Sequence, residues 1–278
     1  PVDFGVRPCG YVPLDIDTFA MDNSGTAKEH VGRTYAGVDG YCPLAAYLGT
    51  QGFCLELALR PGTQHSASET EYNIERVLPL AAKLTASRIG GQAATPLLFR
   101  ADSGFDSAKL MCAIGHHASA LAREIAFIIK WNPRSTPVEG LAQAKVADTG
   151  AAWEMLREGK RQCVWSETVQ ARHGEQCLAV RRIYRLTERT IDKRGQQMLL
   201  PEYALEGWST TLPETFEAPQ VIALYADHGT HEQFHSEFKT DMDLVRLPSG
   251  KFDTNSLVCA LAAVAMNLLR LVGQHTLH

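Results

Sequence analysis

The chain has 278 residues, 45% of them hydrophobic and 21% charged, with a net charge of −4. Those are the proportions of a soluble globular protein of one large domain, or one domain with an insertion, and the net charge alone speaks against a nucleic-acid partner. The seven cysteines are odd in number and never spaced C-x-x-C, which excludes a disulfide framework or a zinc ribbon and fits a reducing cytosol.

The sequence opens at Pro1, with neither a Met nor a signal peptide, and reads as a fragment lacking an N-terminal part. The alternation in 12-VPLDIDTF-19 predicts a strand, and 42-CPLAAYLG-49 and 53-FCLELALR-60 predict two more, suggesting an antiparallel meander. Ser68 and Glu71 have the spacing of a capping box opening a helix on Ile74, Val77, Leu78, Ala81 and Leu84, kinked at Pro79. A short buried strand at 97-LLF-99, a turn at 102-DSGFDS-107, a helix over 107–117 and a strand at 126-AFIIK-130 complete a β-β-β-α-β-α-β order. That order predicts a mixed sheet covered by helices.

From 132 to about 210 the texture turns β-rich, with strands at 162–170, 176–186 and 197–208 joined by Gly-containing turns. From Arg157 to Arg194 there are ten Lys and Arg against five Asp and Glu, while the rest of the chain is acidic. A basic surface set apart from an acidic metal site gives this pattern, and so does a solvated basic hairpin. Beyond it, 220-QVIALY-225 leads into a helix over 229–242. The apolar run 257-LVCALAAVAMNLLRLV-272 is interrupted by Asn267 and Arg270, and is expected as a buried core helix in place of a membrane span.

The stretch 225-YADHGTHEQFHSEFK-239 supports two chemistries. His231-Glu232-x-x-His235 spells the H-E-x-x-H of zinc proteases, but the downstream Glu and the extended glycine-histidine form that would supply a third ligand are both missing. The wider spacing places Tyr225, His228, Glu232 and Lys239 on one helical stripe. A carboxylate for a metal beside a phenol and an ammonium for phosphate oxygens is a kit for phosphodiester chemistry. Under that reading His231 and His235 have no part in phosphoryl transfer. Asp17 at the end of the first strand and Asp102 after the strand at 97–99 can converge with Glu232, and three close carboxylates stay ionised only around cations. Oxygen donors of this kind suit Mg²⁺ or Mn²⁺. Asp17 is preferred to Asp15, two residues away on the same strand face, and to Asp22 in the following loop.

The segments 13-PLDIDT-18, 99-FRADSGF-105, 126-AFIIKWN-132, 220-QVIALYADHGTHEQFHSEFK-239 and 246-RLPSGKFDTNSL-257 resemble the catalytic domain of bacterial insertion-sequence transposases of the DDE type. The family's Tyr-x2-Arg-x3-Glu-x6-Lys signature here reads Tyr225, His228, Glu232, Lys239. The resemblance implies an α/β, RNase H-like (retroviral-integrase-like) mixed sheet flanked by helices, with a β-rich insertion before the catalytic Glu. It implies a core over 1–131 and 213–278, an insertion over 132–212, and DNA-binding helices that would precede this chain. It further implies Asp17, Asp102 and Glu232 as catalytic metal ligands for Mg²⁺ or Mn²⁺, with Tyr225, His228 and Lys239 on DNA. The partner would be double-stranded DNA, engaged by a dimer in the active complex, with no membrane, in the bacterial cytoplasm at the nucleoid. An inactive or domesticated DNA-binding relative is the alternative. Trp131, Trp153 and Trp165 are expected to pack; Trp208, beside Gly207, is either a plain core aromatic or a candidate for stacking on an unpaired base.

Overall fold

The structure, a computed structural model, describes residues 2–86, 94–134 and 136–276, and the backbone alone of Thr230 and His231. β1 (Val12–Thr18) has Val12, Leu14 and Ile16 on one face, all buried, and turns Asp15 and Asp17 to the other. Three short strands follow, β2 (Met21–Asp22), β3 (Gly32–Arg33) and β4 (Asp39–Tyr41), which pair among themselves as a small separate sheet. β5 (Leu44–Leu48) and β6 (Phe53–Ala58) return antiparallel beside β1. After α1 (Thr70–Leu84) comes β7 (Leu97–Ala101), parallel to β1; after α2 (Ala108–Ala120) comes β8 (Ile125–Lys130), parallel to β7.

The resulting order β6-β5-β1-β7-β8, an antiparallel meander with two further strands parallel to its first, is that of an RNase H-like fold. α1 and α2 cover the face carrying Leu14 and Ile16, packing Ile74, Val77, Leu78, Leu110 and Ile114 against it.

The β-rich stretch continues the same sheet. α3 (Val138–Ala147), which the sequence reading did not anticipate, leads to β9 (Trp153–Arg157), β10 (Lys160–His173), β11 (Gln176–Ile191) and β12 (Gln197–Thr210). The last pairs with β8 through Trp208–Lys130 and Thr210–Ile128, so that nine strands run edge to edge among the described residues. Trp131, Tyr184, Leu186 and Leu205 form a core of their own against Ala142 of α3.

α4 (Ala218–Ala226), α5 (His231–Ser236) and α6 (Phe252–Thr276) cover the opposite face. The regular helix expected over 229–242 is replaced by a 3₁₀ turn at Asp227–Thr230, the short α5, and a π turn at Glu237–Asp241. Tyr225 falls inside α4. The capping box at Ser68–Glu71 does not form. Glu69 sits at the N-cap in a left-handed conformation, and the Thr70 and Asn73 side chains donate back to the carbonyls of Ser66 and Glu69.

α6 corrects the expectation of a buried helix. Cys259, Ala262, Ala263 and Met266 face the sheet, whereas Leu257, Leu261, Val264, Leu268 and Val272 are more than half exposed. By length and composition α6 is long and apolar enough to cross a membrane. The two polar residues in its apolar run tie α6 to β6, to the turn before it and to the π turn. Asn267 donates to the Cys54 carbonyl at 2.7 Å and accepts its N–H at 2.8 Å, satisfying the backbone of an edge strand. Arg270 donates to the Gly52 carbonyl and to Glu237.

Candidate active site

Asp17 and Asp102 come together because of strand register. Ile16 pairs with Ala101 across the parallel β1–β7 ladder, so the next residue of each strand, an aspartate in both, stands at the same C-terminal edge. In open α/β sheets this edge is where ligands bind. Each carboxylate is oriented by a backbone N–H: Asp17 Oδ1 accepts from Thr18 at 2.7 Å, and Asp102 Oδ1 accepts from Gly104 at 2.9 Å. Both line one cleft of about 530 Å³, together with Arg33, Tyr35, Ser66 and Asn132.

Glu232 is exposed in the first turn of α5 and does not line that cleft. Its helix is nevertheless docked against the same strand end, for His235, three residues on, brings Nε2 to 3.4 Å from Asp17 Oδ2. His235 stands at this strand end, although the sequence reading gave it no part in the site. Its other ring nitrogen lies 2.9 Å from the Tyr47 hydroxyl, and its ring packs on Phe19 at 4.4 Å. With one nitrogen on a buried phenol and the other on a carboxylate, the ring is a brace for Asp17 and a poor candidate for zinc. The side chain of His231, the other half of H-E-x-x-H, lies outside the described residues. Among those residues no group of three or more His, Cys, Asp or Glu side chains is placed to hold a metal ion.

Lys239 reaches this edge as well, its Nζ 5.2 Å above the Phe19 ring. Tyr225 is half-buried between Trp208 and His228. Burial raises its phenol pKa above the ordinary value, and the negative charges of Asp102 and Asp17 raise it further.

Two expectations are corrected. Trp208 is 2% exposed, packed with Leu98, Ile128, Ile183 and Val221 beneath the Arg185 guanidinium, so it is a core residue with no face for a base. His228 is 3% exposed and turned inward, Nδ1 at 3.1 Å from Asp15, so it is not placed on a phosphate. Asp15 is itself held by Arg100 through two hydrogen bonds of 2.7 Å. That pairing removes Asp15 from the candidate ligands, and Asp22 lies beyond the cleft on β2.

The donor set of the cleft is chemically coherent. Two carboxylates side by side repel unless a cation lies between them, and an all-oxygen set suits a hard divalent ion. The chain matches the transposase DDE domain group 1 along residues 3–278. It belongs to that transposase family. A cryo-EM structure of a piggyBac transposase synaptic complex with hairpin DNA aligns with 96% of the chain at 9% identity and a TM-score of 0.43. The alignment takes in 48% of that protein, so the chain spans about half of its length. No curated protein matches the chain.

Proposed function

We propose that the chain is the catalytic domain of an insertion-sequence transposase that cleaves DNA strands at the element's ends and joins them to a target. The observation that carries this reading is the register that sets Asp17 beside Asp102 in one cleft at the strand ends. Asp17 and Asp102 would hold Mg²⁺ or Mn²⁺, with Glu232 contributed by α5 as the third ligand. The bound ions would supply charge to activate the attacking oxygen and to stabilise the leaving one.

The protein's own groups orient and attract. Backbone N–H groups and His235 fix the Asp17 and Asp102 carboxylates, while Lys239 and Tyr225 contact phosphate oxygens of double-stranded DNA. Pairing of two ends in a dimer, and action at the nucleoid in a bacterial cytoplasm, belong to the same proposal. Family membership and the pair of carboxylates at the strand ends favour this reading over a zinc protease.

The test is nicking of supercoiled plasmid DNA in Mg²⁺ or Mn²⁺. Asp17→Asn, Asp102→Asn and Glu232→Gln each keep side-chain size and remove the charge, and each is expected to abolish nicking while leaving DNA binding in place. Retained nicking in all three variants would end the proposal. DNA binding with no nicking by the unaltered chain would instead favour a relative that binds without cutting.

A further inference from the structure

The wall of the cleft facing Asp17 and Asp102 is built by a segment with no role so far. β3 and β4 form a hairpin whose turn is tightly closed. Thr34 N–H donates to the Val38 carbonyl at 2.9 Å, Thr34 Oγ1 donates to the same carbonyl at 2.8 Å, and Gly37 N–H donates to the Thr34 carbonyl at 3.0 Å. Tyr35 is carried on this turn and is 70% exposed. Its hydroxyl nonetheless points inward and donates to the Thr18 carbonyl at 3.1 Å, one residue from Asp17. One end of the ring is therefore anchored beside the carboxylates, and the rest is open to solvent in the cleft.

The phenol responds to that position. Burial of its hydroxyl end pushes its pKa up to about 12, and the charges of Asp17 and Asp102 act in the same direction. Arg33, two residues earlier, also lines the cleft. Its side chain is 68% exposed, and its ion pair with Asp39 is long, at 3.4 Å between two exposed groups. Such a pair holds a guanidinium weakly and leaves it able to engage a phosphate.

An open aromatic ring, a loosely held guanidinium and two carboxylates in about 530 Å³ suit one nucleotide, whose base, phosphate and scissile bond need those three surfaces. We propose that the Arg33–Tyr35 turn is a nucleotide subsite: Tyr35 stacks on a base drawn out of the DNA end, and Arg33 contacts the adjoining phosphate. Held there, the nucleotide sets its phosphodiester next to Asp17 and Asp102. This rests on the proposed transposase reading and adds the substrate contact that the buried Trp208 cannot make.

The experiment uses an oligonucleotide duplex with 2-aminopurine as an unpaired 3′-terminal base, whose fluorescence falls on stacking, alongside plasmid nicking. The unaltered chain is expected to quench the probe, as are Tyr35→Phe and Tyr35→Trp, which keep a ring. Tyr35→Ala is expected to lose the quench and to raise the KM for nicking about tenfold, with kcat much less affected. Arg33→Ala is expected to weaken probe binding and reduce its salt dependence by about one counterion. Both side chains are exposed, so thermal melting should confirm that each variant folds. If Tyr35→Ala quenches and nicks like the unaltered chain while Asp17→Asn is dead, the subsite is wrong and the transposase reading stands. If Asp17→Asn, Asp102→Asn and Glu232→Gln all nick normally, both fall.

Discussion

Arg100 grips Asp15 with two parallel hydrogen bonds of 2.7 Å in the protein interior, and neither residue is more than 2% exposed. The third donor of the same guanidinium reaches the Leu224 carbonyl at 2.6 Å, and His228 closes on Asp15 from the 3₁₀ turn after α4. The ion pair thus ties the sheet to the segment that leads into α5. Breaking one side strands a buried charge, which costs far more than the pair contributes over two apolar residues. Arg100→Met is expected to lower the unfolding free energy by about 3–5 kcal/mol in urea titrations. A loss below about 1 kcal/mol would mean that Asp15 finds water or another partner.

The same pair gives an acid dependence with a definite sign. Burial alone would raise the Asp15 pKa, but the Arg100 guanidinium and His228 more than reverse it and hold it well below the usual carboxylate range. A carboxyl whose folded pKa is depressed adds stability above its unfolded value, near 4, and that stability drains away as pH falls toward the folded value. Glu56 and Asp106, whose pKa values burial pushes up, act in the opposite sense but are common to both proteins compared here. Stability measured between about pH 5 and pH 3 should therefore fall more steeply for the unaltered chain than for Asp15→Asn. Parallel slopes would show that Asp15 does not titrate differently on folding.

His235 offers a separation of roles. The Tyr47 hydroxyl lies beside its Nδ1 and the Asp17 carboxylate beside its Nε2. His235→Ala leaves a buried phenol without that neighbour, at about 1–3 kcal/mol, and removes the brace from Asp17. Metal-dependent nicking is expected to fall roughly 10- to 100-fold, as when an orienting partner of a metal ligand is removed. Nicking at the unaltered level, measured well below the melting temperature, would show that the contact with Asp17 is incidental.

The sequence made the central sheet legible because its strands are short apolar runs with clear boundaries, and Asp17 and Asp102 because each ends one of those runs. Arg100 carried a signal that was passed over. A lone charge inside LLFRA, a strand buried along its whole length, requires an opposite charge nearby, and Asp15 is its register partner on β1. The helix after Tyr225 was misread for a different reason. Spacings of 3, 4 and 7 describe a stripe on a regular helix, but the 3₁₀ and π turns change the rotation per residue on either side of α5. Local periodicity cannot report such turns, because contacts from β1, β5 and α6 help set them. Trp208 takes the packing role of its two sequence readings. Gly207 is small for packing: a Cβ there would lie 2.7 Å from the Trp131 ring. Trp208→Ala is thus expected to behave as a core truncation, costing about 3–5 kcal/mol, with no specific loss of base stacking once temperature is adjusted for stability.

The position of α5 relative to Asp17 rests on a close approach that can be tested directly. Gly52, in the turn between β5 and β6, has φ +66° and lies under Phe234 of α5, so that an added Cβ would sit 2.4 Å from the ring. Gly52→Ala therefore combines a left-handed backbone with a steric overlap, about 2–4 kcal/mol in all. The cheapest relief is to push Phe234 outward, and α5 with it, which moves His235 away from Asp17 and shifts Glu232. Gly52→Ala is thus expected to weaken Mn²⁺ binding in calorimetric titrations and to lower nicking even at temperatures where the variant is folded. Adding Phe234→Leu makes room for the methyl group and should return part of both signals, although by itself it removes core contacts. Rescue is the decisive readout, because a mere loss of stability would deepen with the second substitution. If Gly52→Ala binds Mn²⁺ and nicks normally while folded, the packing of α5 against this turn does not set the geometry at Asp17.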